Sequence, residues 1–390
     1  MNTSPSLKIM EILPFSHLHR SRALDVLRGV AVILVLFRHK YLHYELPGVL
    51  EAVSFFGWTG VDLFFVLSGL LIGGQVFREY REYGSIHVGR FLVRRGLRIY
   101  PPFFALIAAE VFLLWYGQIP FTGKQILLEM TFLQNYFRGL GLTHTWSLAV
   151  EEHFYLLFAA GSFLLPALEK PKAAIGFFAG GLFFFLLMRV LTTIGLPYSL
   201  ATHLYATHLR LDSLLFGVFL AYLINFRKPV IDRWLERPRR IGAIGVAMVA
   251  PAWFLPQEHA FMHSFGLTFL YLGFGSIIVA ALGAKKDSLL FCSPPAKAIA
   301  LVGRYSYSIY LWHLFFLLRV LQYFRGEFAL EMSEDTLFVA YFFGSLLFGI
   351  FMGRLIEIPV LRWRDKIIPR SAGDRPLSSV EIGRISGASF

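Results

Sequence analysis

Arg28 and His39 stand eleven positions apart in a mostly apolar stretch, LDVLRGVAVILVLFRH. That spacing is close to three full helical turns, so both side chains leave one face, separated by a rise of about 16 Å. Imidazole suits proton transfer near neutral pH, and a guanidinium suits a phosphate. Asp62, in GWTGVDLFFVLSGLLIGG, and Glu151, in THTWSLAVEEHFYLLF, fall at a depth similar to that of His39. Ser147, Glu151 and Tyr155 follow at i, i+4 and i+8 on one helical face. A histidine and two carboxylates at one level, on three helices, form a candidate proton-handling cluster.

A second layer is cationic. FLVRRGLRIYPP puts Arg94, Arg95 and Arg98 just ahead of Pro101 and Pro102, and with Arg28 they form a mouth suited to phosphate groups. Two more strings carry polar chemistry. HLYATHLRLDSLLFG supplies His203, His208, Arg210 and Asp212, and GRYSYSIYLWH supplies Tyr307, Tyr310 and His313. Glu357, in IEIP, is placed to pair with a neighbouring arginine. Any one of these groups could simply join helices or anchor a span at the interface. The pattern carries more than its members, because charge inside a bilayer is costly.

The elements that must hold these residues are membrane spans. Hydrophobic residues make up 56% of the 390 and charged residues 16%, with a mean hydropathy of +0.60. A chain this apolar needs lipid as its solvent. Ten apolar segments are long enough to cross a hydrocarbon core: 24–43, 57–77, 99–117, 146–166, 173–194, 209–225, 240–256, 264–284, 304–324 and 336–357. Lysine and arginine concentrate in alternate loops, which places both termini in the cytosol. The same alternation accounts for the net charge of +12 without nucleic acid. The expected organisation is an all-α polytopic bundle: a cytosolic segment 1–23, a membrane domain 24–360 and a poorly ordered cytosolic tail 361–390. Residues 1–23 lack the apolar core of a cleavable signal. The one cysteine, Cys292, excludes an intramolecular disulfide or a Cys-based metal cluster, and no metal is expected.

Taken jointly and in this order, LDVLRGVAVILVLFRH, GVDLFFVLSG, RRGLRIYPPFF, THTWSLAVEEHFYLLF, RLDSLLFG and YSYSIYLWH resemble the acyltransferase-3 family of membrane-bound acyltransferases, which modify bacterial surface glycans and some secreted small molecules. The strings lie between Leu24 and His313, and the resemblance extends over residues about 22 to 360. The resemblance implies ten core helices in the cytoplasmic (inner) membrane, a cytosolic acyl-CoA donor (usually acetyl-CoA) and an extracytoplasmic hydroxyl acceptor. It maps the family's first-span arginine and histidine onto Arg28 and His39, and its basic run onto Arg95 and Arg98. Its Trp-Ser and Glu motif falls on Trp146, Ser147 and Glu151, with Glu152 adjacent.

The expected chemistry is O-acylation. Coenzyme A docks its phosphates on Arg28, Arg95 and Arg98, and His39 takes the proton of the acceptor hydroxyl. Glu151 or Asp62 fixes the imidazole tautomer, as a triad carboxylate does. Trp146, Ser147, Tyr307, His313 and Arg210 are the candidates for contacting substrate or the oxyanion. Acceptors compatible with this reading are lipopolysaccharide O-antigen, capsule or exopolysaccharide, a peptidoglycan sugar, a lipid-linked intermediate and a macrolide-type metabolite. The rival class is a transporter or flippase, which would show paired repeats and matched midplane charges; no inverted repeat is visible.

Overall fold

A computed structural model describes residues 21–40, 46, 48–285, 288–327 and 333–368. Residues 1–20 and 369–390, which hold most of the expected cytosolic segment and tail, lie outside the described residues. The described chain is helical and contains no strand. In order it forms α1 (Arg22–Arg38), α2 (Val49–Phe56), α3 (Gly60–Tyr83), α4 (Val88–Tyr116), α5 (Gly123–Met130), α6 (Trp146–Ala160) and α7 (Pro171–Gly195). There follow α8 (Leu211–Phe226), α9 (Lys228–Leu235), α10 (Pro238–Val249), α11 (Leu267–Gly283), α12 (Pro294–Arg304), α13 (Ser306–Phe315), α14 (Glu334–Met352) and α15 (Ile358–Ile367).

Each of the ten expected segments is helical over most of its length. Among the described residues, six stretches are long and apolar enough to cross a membrane: Val49–Tyr83, Val88–Tyr116, Thr143–Leu168, Pro171–Gly195, Met262–Gly283 and Glu334–Ile367. Two of the other four expected segments fall short for visible reasons. At 17 residues, α1 rises about 26 Å, and α8 is followed by a bend of 106° into α9.

Burial shows lipid acting as the solvent. α7 turns Phe183 (65% exposed) and Ile194 (79% exposed) outward and buries little beyond Ala174, Phe178 and Arg189. A water-facing helix would not carry such a surface. α3 is the opposite: it is buried along most of its length and lies at the centre of the bundle. Glycine lets its backbone approach α8, where a Cβ on Gly69 would sit 2.0 Å from the Leu214 carbonyl oxygen. The same device joins α1 to α12. A Cβ on Gly29 would fall 2.2 Å from the Ile299 oxygen, and one on Gly303 would fall 1.8 Å from the Asp25 oxygen. Seating Gly29 against α12 fixes the rotation of α1, and therefore the direction in which Arg28 points.

Candidate functional site

Arg28 points into a cavity enclosing about 810 Å³ of space free of protein atoms, part of it open to solvent. α4 contributes Arg95 and Arg98, α6 contributes Ser147, Glu151 and Tyr155, and α13 contributes Tyr307 and Tyr310. The expected shared face of Ser147, Glu151 and Tyr155 is therefore the face that lines this space. Of the adjacent pair, Glu151 lines it and Glu152 does not.

The three arginines are differently engaged. Arg28 donates to Asp25 (3.1 Å), and Arg95 donates to Gln75 (2.5 Å) and lies 5.9 Å from the Tyr155 ring centre. Arg98 forms no hydrogen bond or ion pair among the described residues. Further in, Tyr155 donates to Glu151 and shares a 2.8 Å hydrogen bond with Ser68. Ser147 and the Tyr310 hydroxyl lie 2.6 Å apart, and Tyr310 donates onward to the His144 carbonyl at 2.7 Å. Tyr307 donates to the Ile99 carbonyl (2.8 Å), one residue from Arg98. The surroundings are thus cationic at one end and hydroxyl-rich at the other.

His39 lies beyond that second end. It is not among the cavity-lining residues. It caps α1 with φ −95° and ψ 24°, its own N–H still making the helical bond to the Val35 carbonyl oxygen (3.1 Å). Its Nδ1 lies 3.1 Å from the Val35 carbonyl oxygen and 3.2 Å from Nε2 of His313. The His144 ring stands 5.1 Å from that of His313. Tyr310 separates the two compartments: it lines the cavity, and its ring centre lies 5.8 Å from those of both His144 and His313.

The expected cluster of His39 with two carboxylates does not form. Asp62 lies in the first turn of α3 facing α8, and pairs with Arg210 at 2.8 Å; Glu151 faces the cavity and binds Tyr155. Arg210 is 2% exposed and sits over Trp146 (5.5 Å) and Phe65 (5.6 Å), so it is committed within the bundle. Trp146 stacks on Tyr205 at 4.8 Å and does not line the cavity. Glu357 accepts its hydrogen bond from Ser308 (2.6 Å), and Arg98 and Arg28 are among the positive charges that act on it, as its sequence position led one to expect. Two residues escaped the sequence reading. His144 sits in a 3-10 turn just before α6, where helical periodicity carries no signal. Arg189 was submerged in the most lipid-facing span.

A family described as an acyltransferase domain matches residues 21–356. A Staphylococcus aureus (strain MRSA252) protein named "Putative O-acetyltransferase" is 26% identical over 377 residues, covering 89% of this chain and 59% of that protein. The O-acetyltransferase OatA of Staphylococcus aureus (strain NCTC 8325) is 29% identical over 318 residues, covering 74% of this chain and 49% of its own length. The chain thus spans between about half and three fifths of these curated relatives. No solved structure matches it.

Proposed function

The chain belongs to the acyltransferase domain family, and on that premise we propose that it is an integral membrane O-acyltransferase moving an acetyl group from cytosolic acetyl-CoA to a hydroxyl of an extracytoplasmic glycan. The observation that carries this reading is the cavity of α3, α4, α6 and α13, with Arg28, Arg95 and Arg98 at one end and Ser147 and Tyr310 at the other. In this reading all ten apolar segments cross the membrane, and the arginine end faces the cytosol, following the positive-inside bias. The three guanidiniums receive the phosphates of the donor. Arg98 donates no hydrogen bond among the described residues and so retains its full set of donors for that purpose, with Glu357 as a nearby opposite charge.

The chemistry needs a base at the far end. His39 is part-exposed beside the exposed Arg38 at the end of α1, where an acceptor from the opposite side reaches it. The acceptor oxygen attacks the thioester carbonyl carbon as its proton passes to the His39 imidazole. The tetrahedral oxyanion is met by the Ser147 and Tyr310 hydroxyls once they turn from each other and from the His144 carbonyl oxygen. The C–S bond then breaks, and the coenzyme A thiolate takes the proton back from the imidazolium. Ester and free thiol leave on opposite sides. Because Ser147 and Tyr310 close the cavity toward His39, the acyl group meets the base only when that bridge moves aside.

The purified protein in detergent or nanodiscs, given radiolabelled acetyl-CoA and a glycan acceptor, tests this. The wild type should transfer label, and His39→Ala should lose transfer by about 10²–10⁴-fold while still binding acetyl-CoA. Full transfer by His39→Ala would remove His39 from the reaction. A wild-type protein that neither transfers nor hydrolyses the acetyl group, yet moves a glycan across the bilayer, would replace the enzyme by a transporter.

A further inference from the structure

Among the described residues no carboxylate orients the base at the histidine end, yet its hydrogen bonds fix where each proton sits. A backbone carbonyl only accepts. The Tyr310 carbonyl oxygen lies 2.6 Å from Nδ1 of His313, so that nitrogen carries a proton. His313 is 0% exposed and forms no ion pair with a carboxylate among the described residues. A second proton would make it a buried, uncompensated cation, so its Nε2 holds a lone pair. That lone pair lies 3.2 Å from Nδ1 of His39, and the other neighbour of this Nδ1, the Val35 carbonyl oxygen at 3.1 Å, also only accepts. His39 Nδ1 therefore carries the hydrogen, shared between two acceptors, and its Nε2 is the unprotonated nitrogen.

We infer that His313 is the positioning residue of the proposed reaction: as a neutral hydrogen-bond acceptor it holds His39 in the tautomer whose Nε2 is free to take the acceptor's proton. His144 steadies the arrangement. Its Nε2 donates to the Leu311 carbonyl oxygen at 2.9 Å, and its ring packs edge-on against His313. A carboxylate in the place of His313 would also fix the tautomer, but it would strongly favour the imidazolium. A neutral imidazole leaves the imidazolium weakly held, which favours rapid return of the proton to the departing thiolate. Among the described residues, the charged and titratable neighbours of the His39 ring are His313 and His144 from the facing elements and Arg38 on its own helix, and none of these is a carboxylate.

This inference rests on His39 being the base, and four variants of the full chain separate the two claims. His313→Met removes the acceptor. It should lower kcat at least about 10²-fold with acetyl-CoA affinity unchanged. His313→Gln places an amide oxygen where Nε2 stood. It should recover activity to within about tenfold of wild type, with an unchanged pH profile. His313→Glu should displace the acid limb of the pH–rate profile upward by about one pH unit or more. Equal activity of the Met and Gln variants, at whatever level, overturns the positioning role, as does a Glu variant whose active fraction titrates like wild type. Active His39→Ala defeats the underlying function instead. Inactive His39→Ala with wild-type His313→Met defeats only this inference.

Discussion

Arg189 and Arg98 both lie inside the helical bundle, and their surroundings differ in nearly every respect. Arg189 is 0% exposed. It pairs with Asp212 and donates to the Ser264 carbonyl (2.9 Å), the Leu209 carbonyl (3.3 Å) and Thr268 Oγ1 (2.6 Å). It ties α7, α8 and the π-helical turn before α11 together. Arg98 faces the cavity and forms no hydrogen bond or ion pair among the described residues. Guanidinium carries five N–H donors, so the number already engaged separates a staple from a binding group. Position in an apolar span does not: the more lipid-surrounded helix bears the structural arginine.

The harshest way to break that comparison is at Arg189. Arg189→Met leaves Asp212 buried without its counter-charge and should destabilise the protein by about 3–5 kcal/mol, read as lost folded yield and a lower Tm in detergent. Wild-type stability would show that the pair holds nothing together.

A buried carboxyl with only neutral partners gives the next effect. Glu129 on α5 is 1% exposed, and burial pushes its carboxyl up to about 7 against the Leu140 amide and Thr145 hydroxyl that favour the anion. A raised value in the folded state means the contribution is complete below the ordinary carboxylate range and is lost as pH rises through about 7. Wild type should therefore lose on the order of 3 kcal/mol of stability between pH 4.5 and 7.5, relative to Glu129→Gln, whose Tm should lack this component. Parallel pH profiles of Tm would refute the assignment.

At the cavity the expected change is in binding rather than stability. Arg98→Gln should weaken acetyl-CoA binding by about 1.5–3 kcal/mol, roughly ten- to a hundredfold, at constant Tm; calorimetry with acetyl-CoA decides it. Unchanged affinity would collapse the distinction between the two arginines from the functional side. The smallest effect belongs to the exposed Lys228–Asp232 pair, 2.6 Å apart with Lys228 56% exposed. Lys228→Ala should cost no more than about 0.5 kcal/mol, and a larger loss would mean that burial is not the governing variable.

Much of the fold was legible because lipid imposes a simple rule: long apolar helices alternating with basic loops. The face shared by Ser147, Glu151 and Tyr155 was legible too, since it depends only on helical periodicity. The same rule could not show that His39, at the end of α1, meets His313 instead of lining the cavity. It also failed at Asp62, because nothing near residue 62 reveals that Arg210 will pack against it.

The amino-acid sequence by itself determined the solvent this protein requires, the helices it forms and the clustering of basic groups toward one end of the spans. Those properties follow from local hydropathy, residue type and a 3.6-residue repeat. Only the tertiary structure decided the partners: His313 rather than a carboxylate against His39, 274 residues away in the chain, and Asp212 rather than open cavity against Arg189. Side-chain partnership depends on which helix lies beside which and at what rotation. Distant backbone contacts such as Gly29 on Ile299 set that rotation, and no local pattern encodes it.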